Sequence, residues 1–381
     1  MIKFFVMNRF GLLILIFLLL FSFSCKENIS YKPITNNGKK WQIAYYQGGD
    51  YTSYPAYTKQ VVKNLSKLGW IQPFVYPDWK KEVSMEIIWE WLSSNIKSDY
   101  IEFKKDGFYC SNWDRTSRAE NKNNFLKRLK QNNDIDLVFA LGTWAGQDLA
   151  TDEHSTPVIV MSVTSPVDSK IIPSIKDSGR DHVTTGIAAN RFLNQIRLFH
   201  DIVDFKNLGV VFENTANGKV FTNYAELQIV SKERDFKLIE AYAPEEKTSE
   251  DMCGEKYYNA LESIIDKVDA VWIGPHTGSQ AKFMNKIANL LIEMKIPSWS
   301  QMDNGHVEKG ILFSISPEDF DTVGLFEAQK IARILRREKP RDLPIEFSSR
   351  LGLSINIDTA TKIGFNIPKG VISVADKIYE R

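Results

Sequence analysis

Cysteine is scarce in this chain: Cys25, Cys110 and Cys253 are the three among 381 residues. The wide spacing of the last two gives neither a disulfide framework nor a metal-ligand motif. Histidine is almost as rare. No two of His154, His182, His200, His276 and His306 stand three to five residues apart, so a helical metal motif is absent. A Gly-x-Ser-x-Gly elbow, a phosphate-binding glycine loop and a dinucleotide glycine fingerprint are missing as well. Charge of one sign is also lacking. There are 48 basic residues against 47 acidic ones, a net charge of +1 without a basic patch, and nucleic acid is therefore not expected as a partner. No tandem repeat or low-complexity stretch occurs. These absences argue against catalysis, and no catalytic residue, cofactor or metal is expected.

What is present begins at the N-terminus. Lys3 and Arg9 precede a hydrophobic run from Phe10 to Phe23, interrupted by Gly11 and Ser22. The run has the length of a secretory signal core and falls short of the roughly 20 residues a spanning helix needs. It ends in Ser22-Phe23-Ser24-Cys25, which resembles a bacterial lipobox, although Phe23 replaces the usual small residue. The resemblance implies cleavage before Cys25 and acylation of its thiol and new amino group. An ordinary signal peptide or an uncleaved anchor are the other two readings, and all three place the folded part outside the cytoplasm. Without residues 1–24 the formal net charge is −1. Residues 25–40 are polar and predict a flexible tether. A disulfide is permitted outside the cytoplasm, yet Cys110 and Cys253 are assigned below to different lobes, so two unpaired thiols are expected.

From residue 41 a pattern repeats: short apolar run, Gly/Asn/Asp punctuation, amphipathic segment. Strands are predicted at 43–46, 137–141, 158–163, 208–212, 238–242, 270–273 and 311–315. Helices are predicted at 54–68, 190–202, 256–265 and 281–294. Strand–helix alternation over this length predicts an α/β fold of parallel sheets covered on both faces. The number of units predicts two Rossmann-like lobes. Residues 70–135 are less regular and hold Trp79, Trp89, Trp91 and Trp113, with a strand at 101–109 and a surface helix at 115–130.

Several strand ends carry polar or aromatic groups suited to a ligand: Tyr46, Gln47, Asp50 and Tyr51 after the first strand, Ser162 and Thr164 after the 158 strand, Glu213 and Asn214 after the 208 strand, His276 and Thr277 after the 270 strand. Gly142-Thr143-Trp144-Ala145 follows a strand and opens a helix, whose free N–H groups suit a carboxylate or other anion. Ligands of open parallel sheets sit at the carboxyl ends of strands. The same residue types are also ordinary helix caps and turn formers.

The order of several segments carries a family resemblance. Asp136-Leu137-Val138-Phe139-Ala140-Leu141-Gly142-Thr143-Trp144-Ala145, then Pro157 to Val167, then Val183-Thr184-Thr185-Gly186-Ile187, and finally Ile355-Asn356-Ile357-Asp358-Thr359-Ala360 with Gly364-Phe365-Asn366-Ile367-Pro368 and Ala375-Asp376 resemble the ABC transporter substrate-binding family typified by tryptophan- and tyrosine-binding lipoproteins. The resemblance spans about residues 41–380. It implies a type I periplasmic-binding-protein architecture with a hinged central cleft, a small-molecule ligand, an ABC permease as partner, a membrane held through the lipid anchor, and a monomer. Amino-acid-binding members tend to place an Asp for the ammonium group after the strand that here ends at Ile273. In this chain that position falls at His276 or Thr277, and a neutral His cannot partner an ammonium. Tyr46, Tyr51 and Trp144 suit stacking on a ring, so the ligand classes open are an amino acid, a nucleoside-like body or a sugar.

The domain reading is lobe one at 41–163 plus 317–343 and lobe two at 164–316 plus 344–381, with crossings at Val163–Pro166, Ser314–Pro317 and near Pro344. Asp303 is placed near the cleft rim. The function implied is extracytoplasmic solute binding by domain closure; the alternative is a ligand-sensing or scaffold lipoprotein without a transport role.

Overall fold

The computed structural model describes residues 29–380 apart from 52, 80–82, 189, 246–247, 303, 318–319 and 348–350. Strand β1 (Trp41–Gln47) leads through helices α1 (Ser53–Lys67) and α2 (Met85–Asn95) to β2 (Ile101–Cys110); α3 (Arg115–Gln131), β3 (Leu137–Leu141), α4 (Gly142–Leu149), β4 (Val158–Met161) and β5 (Val183–Thr185) follow. These strands form one parallel sheet in the order β2-β1-β3-β4-β5. The short strand β6 (Ile187–Ala188) then carries the chain into a second lobe. That lobe contains α5 (Arg191–Val203), β7 (Asn207–Phe212), α6 (Ala216–Phe221), α7 (Tyr224–Arg234), β8 (Lys237–Tyr242), α8 (Glu250–Glu262), β9 (Ala270–Ile273), α9 (Ala281–Glu293), β10 (Ser298–Ser300), α10 (Asn304–Glu308) and β11 (Phe313–Pro317). Helix α11 (Asp321–Leu335) returns to pack on α1 of lobe one. Strand β12 (Glu346–Phe347) pairs in parallel with β6, and β13 (Leu351–Asn356), α12 (Ile357–Ile363), α13 (Lys369–Ser373) and β14 (Lys377–Tyr379) complete lobe two. Its sheet runs β14-β13-β11-β10-β9-β7-β8, with β13 antiparallel to β11.

The strands that sequence reveals most plainly are buried on both faces. Along β3, Leu137, Phe139 and Leu141 join the core under α1 and α11, while Val138 and Ala140 join the core under α3 and α4. In lobe two, Ala270 and Trp272 of β9 face one core while Val271 and Ile273 face the other. Side chains alternate across a strand, so a sheet covered on both faces needs an unbroken apolar run. Each large side chain so buried contributes roughly 1.5–3 kcal/mol relative to exposure.

Two expectations are corrected. The first crossing does not lie at Val163–Pro166: the chain turns there, returns to the same sheet as β5, and pairs Val158–Val160 with Val183–Thr185. It leaves lobe one after β5, through Gly186 and β6. The tether predicted over residues 25–40 is docked from Tyr31 onward. The buried indoles Trp70 and Trp41 donate their Nε1–H to the carbonyls of Tyr31 (2.9 Å) and Ile34 (2.8 Å), and Asn36 donates to Asp136 (2.9 Å). A buried indole N–H requires such a partner, and this segment supplies it. Cys25 lies outside the described residues. Cys110 and Cys253 are unpaired and belong to different lobes.

Two histidines give lobe one a pH dependence. His154 and His182 stack edge to face at 4.8 Å, and each places Nε2 at 3.0 Å from a backbone carbonyl, of Leu149 and Thr151 respectively. Burial holds both pKa values below the ordinary histidine value. The unfolded chain therefore takes up protons below about pH 6.5 that the folded protein excludes. Stability is complete above that pH and declines as pH falls, by up to about 1.4 kcal/mol per pH unit for each ring that stays neutral. Urea melts between pH 7.5 and 5.5 should show this decline, and His154→Asn/His182→Asn should flatten it; an equally steep decline in the double variant would assign the pH dependence elsewhere.

Candidate ligand-binding site

Both lobes are doubly wound with the same local strand order: β2-β1-β3-β4 in the first, β8-β7-β9-β10 in the second. In each, the crossover direction reverses between the first and third strands of the lobe. A crevice opens at the carboxyl ends of those strands, because their helices depart to opposite faces. In lobe one this crevice lies between Gln47 and Gly142, in lobe two between Phe212 and Gly274. The two crevices meet. Tyr51, beyond β1, donates its hydroxyl to Sδ of Met302, beyond β10, at 3.2 Å. Gln147 of α4 reaches Oδ1 of Asn217 in α6 at 3.5 Å.

On the lobe-one side the wall is aromatic. Trp113 follows β2 with its backbone in the left-handed region (φ 58°) and 43% of its surface exposed. Its ring lies on Gly48 and Gly49, where an added Cβ would come within 2.8 and 2.5 Å of the indole. Its Nε1 donates to the Asp50 carbonyl at 2.9 Å and its backbone N–H to that of Gly48 at 2.8 Å. The ring meets Trp144 edge to face at 5.4 Å. Trp144 is held in turn by the Arg118 guanidinium, 4.4 Å from its ring centre. Arg118 pairs with Asp148 (2.9 Å) and contacts Gln147 (3.1 Å).

The other expected lobe-one residues divide. Gln47 is fully buried: it accepts from Tyr45 (2.8 Å) and donates to Asp50 Oδ1 (2.8 Å), so it positions Asp50. Asp50 and Tyr51 are exposed and half-buried at the crevice. Thr143 and Trp144 form the first turn of α4, whose N-terminus has no side-chain cap. Ser162 (φ 56°) and Thr164 are half-buried beyond β4. Tyr46 and Ala145 are corrected: both are completely buried. Tyr46 stacks on Tyr109 and Phe125 and donates to Asp148 at 3.2 Å. They belong to the core because Tyr46 of β1 and Ala145 of α4 both pack into the cluster between the sheet and α3.

In lobe two, Glu213 accepts from the Glu245 N–H (2.9 Å) and from the Thr215 hydroxyl (3.1 Å), and Asn214 beside it is exposed. Thr277 donates its N–H to the Glu245 carboxylate. His276 is corrected: Nδ1 accepts from the Gly278 N–H (2.8 Å), Nε2 sits 3.0 Å from the Ala243 carbonyl, and the ring is buried beside Tyr257. Nδ1 thus serves the turn after β9 and Nε2 ties that turn to the residue following β8, so both nitrogens are engaged within lobe two. Asp303 lies outside the described residues. Among the buried side-chain groups without a hydrogen-bond partner are both amide atoms of Asn223, which is 1% exposed, and Nε of Arg191.

Residues 99–379 match the family model described as ABC transporter substrate binding protein. The chain belongs to this family. A curated tyrosine-binding protein of Clostridioides difficile is 22% identical over 229 residues, which are 59% of this chain and 61% of that relative, so the match spans less than two thirds of it. Among solved structures, a conserved domain protein of Vibrio cholerae (TM-score 0.67, 18% identity) and an ABC domain of Streptococcus pneumoniae in complex with L-Trp (TM-score 0.66, 21% identity) each cover 90% of this chain and are themselves covered completely. The family architecture is the type I periplasmic-binding-protein fold, as the resemblance implied. Among the described residues no group of His, Cys, Asp and Glu could hold a metal, and no helix is long and apolar enough to cross a membrane.

For this family member, sequence reading singled out turns at strand ends but neither Trp113 nor Arg191. Trp113 was visible as an aromatic in an irregular segment, but nothing local announces that the β2 end lies beside the β1 end. Arg191 follows a two-residue strand that has no apolar run to mark it.

Proposed function

We propose that the protein is an extracytoplasmic solute-binding lipoprotein of an ABC-type uptake system, which binds a small molecule between its lobes and catalyses nothing. Cys25 is the lipid attachment site, a membrane permease is the partner, and the binding protein acts as a monomer. The observation that carries this reading is the meeting of the two crevices, bridged by Tyr51–Met302 and Gln147–Asn217. A ligand that touches both walls favours the closed arrangement by its greater affinity for it. The paired strands β6 and β12 run between the lobes and need absorb only a backbone rotation. Trp113, Trp144, Asp50, Tyr51, Thr143, Ser162 and Thr164 supply the lobe-one wall, and Glu213, Asn214 and Thr277 the opposite one.

Native mass spectrometry of residues 26–381, purified gently and compared with the refolded protein, tests this. A co-purified small molecule lost on unfolding is expected. An apo mass followed by a blank thermal-shift screen of amino acids, nucleosides, sugars and organic acids would remove the solute-binding reading and favour a scaffold.

A further inference from the structure

Among the described residues, Arg191 has no carboxylate counter-ion. It is the first residue of α5, three positions beyond the end of the crossing strand β6. Its Nε is buried and has no hydrogen-bond partner. No carboxylate among the described residues pairs with its guanidinium; its neighbours are the ring of Phe192, 5.2 Å from the guanidinium carbon, and the Tyr51 hydroxyl of lobe one, which acts on it electrostatically. Burial alone pulls its pKa down to about 10, still far above neutrality, so the charge is present at physiological pH. Buried charges in proteins are paired or bound to an ion, because an isolated one forfeits its hydration without recompense.

A second, independent feature points the same way. The preceding Asn190 adopts the left-handed conformation (φ 56°), and its side chain makes no capping hydrogen bond. The first-turn N–H groups of this 13-residue helix, which Arg191 opens, thus have no side-chain cap, and helix N-termini favour negative charge. Tyr51 fixes where this lies: the residue that acts on Arg191 is the one that reaches Met302 across the cleft.

We propose that Arg191 is the anion anchor of the cleft, and that the ligand is an organic carboxylate whose carboxyl group pairs with this guanidinium while its flat body meets Trp113 and Trp144. This rests on the cleft reading above and narrows it: a neutral sugar or nucleoside would leave the charge uncompensated. Arginine suits the role because its planar fork matches a carboxylate at two points.

The test uses the soluble chain (residues 26–381), with L-tryptophan, indole-3-propionate, phenylpyruvate, tryptamine, adenosine and glucose as probes in calorimetry and thermal shift. At least one carboxylate is expected to bind and the amine, nucleoside and sugar are not. Arg191→Met should lower carboxylate affinity at least about 100-fold, with Arg191→Lys intermediate. Without ligand, Arg191→Met should raise Tm, since it removes a half-buried charge whose Nε has no partner; a residue retained for structure would lower Tm instead. Binding of adenosine or glucose with unchanged affinity in Arg191→Met would overturn the anchor and leave the cleft reading standing. Silence from every probe, with no co-purified molecule, would overturn both. A lowered apo Tm in Arg191→Met together with unchanged carboxylate affinity would assign Arg191 to structure and overturn the proposal.

Discussion

Replacing Lys330 with methionine should destabilise the protein by about 3–5 kcal/mol, the penalty for leaving the partner of a buried ion pair uncompensated. Lys330 and Glu327 lie one turn apart on α11 and are 1% and 0% exposed, with Nζ 3.2 Å from Oε2. Tyr57 of α1 donates to Glu327 Oε1 at 3.2 Å, and Lys330 donates to the Thr185 carbonyl at 2.8 Å. Burial opposes ionisation of both groups, raising the carboxyl pKa and lowering that of the ammonium, and each offsets this for the other. Without Lys330, the Glu327 carboxyl would titrate far higher in the folded protein than in the unfolded chain. A raised folded pKa on an acid means stability that is present below about pH 4.5 and lost as pH rises. The Lys330→Met deficit, measured by urea unfolding, should therefore be larger at pH 7.5 than at pH 5. In Lys330→Met/Glu327→Leu most of it should vanish, because an apolar pair of similar volume needs no compensation. A single variant as stable as the parent would show that the pair is not ionised as described.

The same cluster explains why lobe one ends where it does. Lys330 holds the carbonyl of Thr185, the last residue of β5, and a Cβ on Gly186 would fall 2.2 Å from Glu327 Oε1. The crossing into lobe two is thus set by a helix some 140 residues downstream, and no local pattern could reveal it. The Ser-Pro stretch at 163–166 looked like the hinge because it has hinge composition. The real crossing follows Val183–Thr185, three residues with no run to recognise. Ser298–Ser300 is a strand for a reason equally invisible in sequence: Trp299 alone is its apolar side chain, and the strand exists because β9 and β11 flank it. By contrast β3, β4 and β9 were legible because burial on both faces demands continuous apolar residues. The site followed the same division. Turn residues at strand ends were legible as positions. Which of them face the cleft was not, since Tyr46 and His276 occupy the expected ends yet spend their side chains on the core and on the segments that follow β8 and β9.

Gly142→Ala should cost about 3 kcal/mol and weaken ligand binding at least tenfold. The helix α4 begins at the residue directly after β3, with no intervening loop, and Gly142 makes that turn at φ +83°. A side chain there meets a backbone penalty of about 1–2 kcal/mol. Its Cβ would also fall 1.8 Å from the Tyr54 hydroxyl and 2.9 Å from the ring carbon bearing it, an overlap of the kind that costs about 1–3 kcal/mol. The two contributions are separable. Tyr54→Phe removes the nearest atom, so Gly142→Ala/Tyr54→Phe should recover part of the loss and retain the backbone share, while Tyr54→Phe alone should be close to neutral. Binding should follow stability in this series, because Tyr54 packs on Tyr51 at 5.4 Å and any displacement of the first ring moves the second, which spans to Met302. Full stability in Gly142→Ala would mean the strand and helix are not joined by this turn. Full stability with lost binding would mean the turn relaxes and the cleft does not. The expected pairing of both losses follows from one geometric demand: the first-turn N–H groups of α4 open on the crevice only if the chain reverses within one residue, and at that residue Tyr54 leaves room for a hydrogen alone.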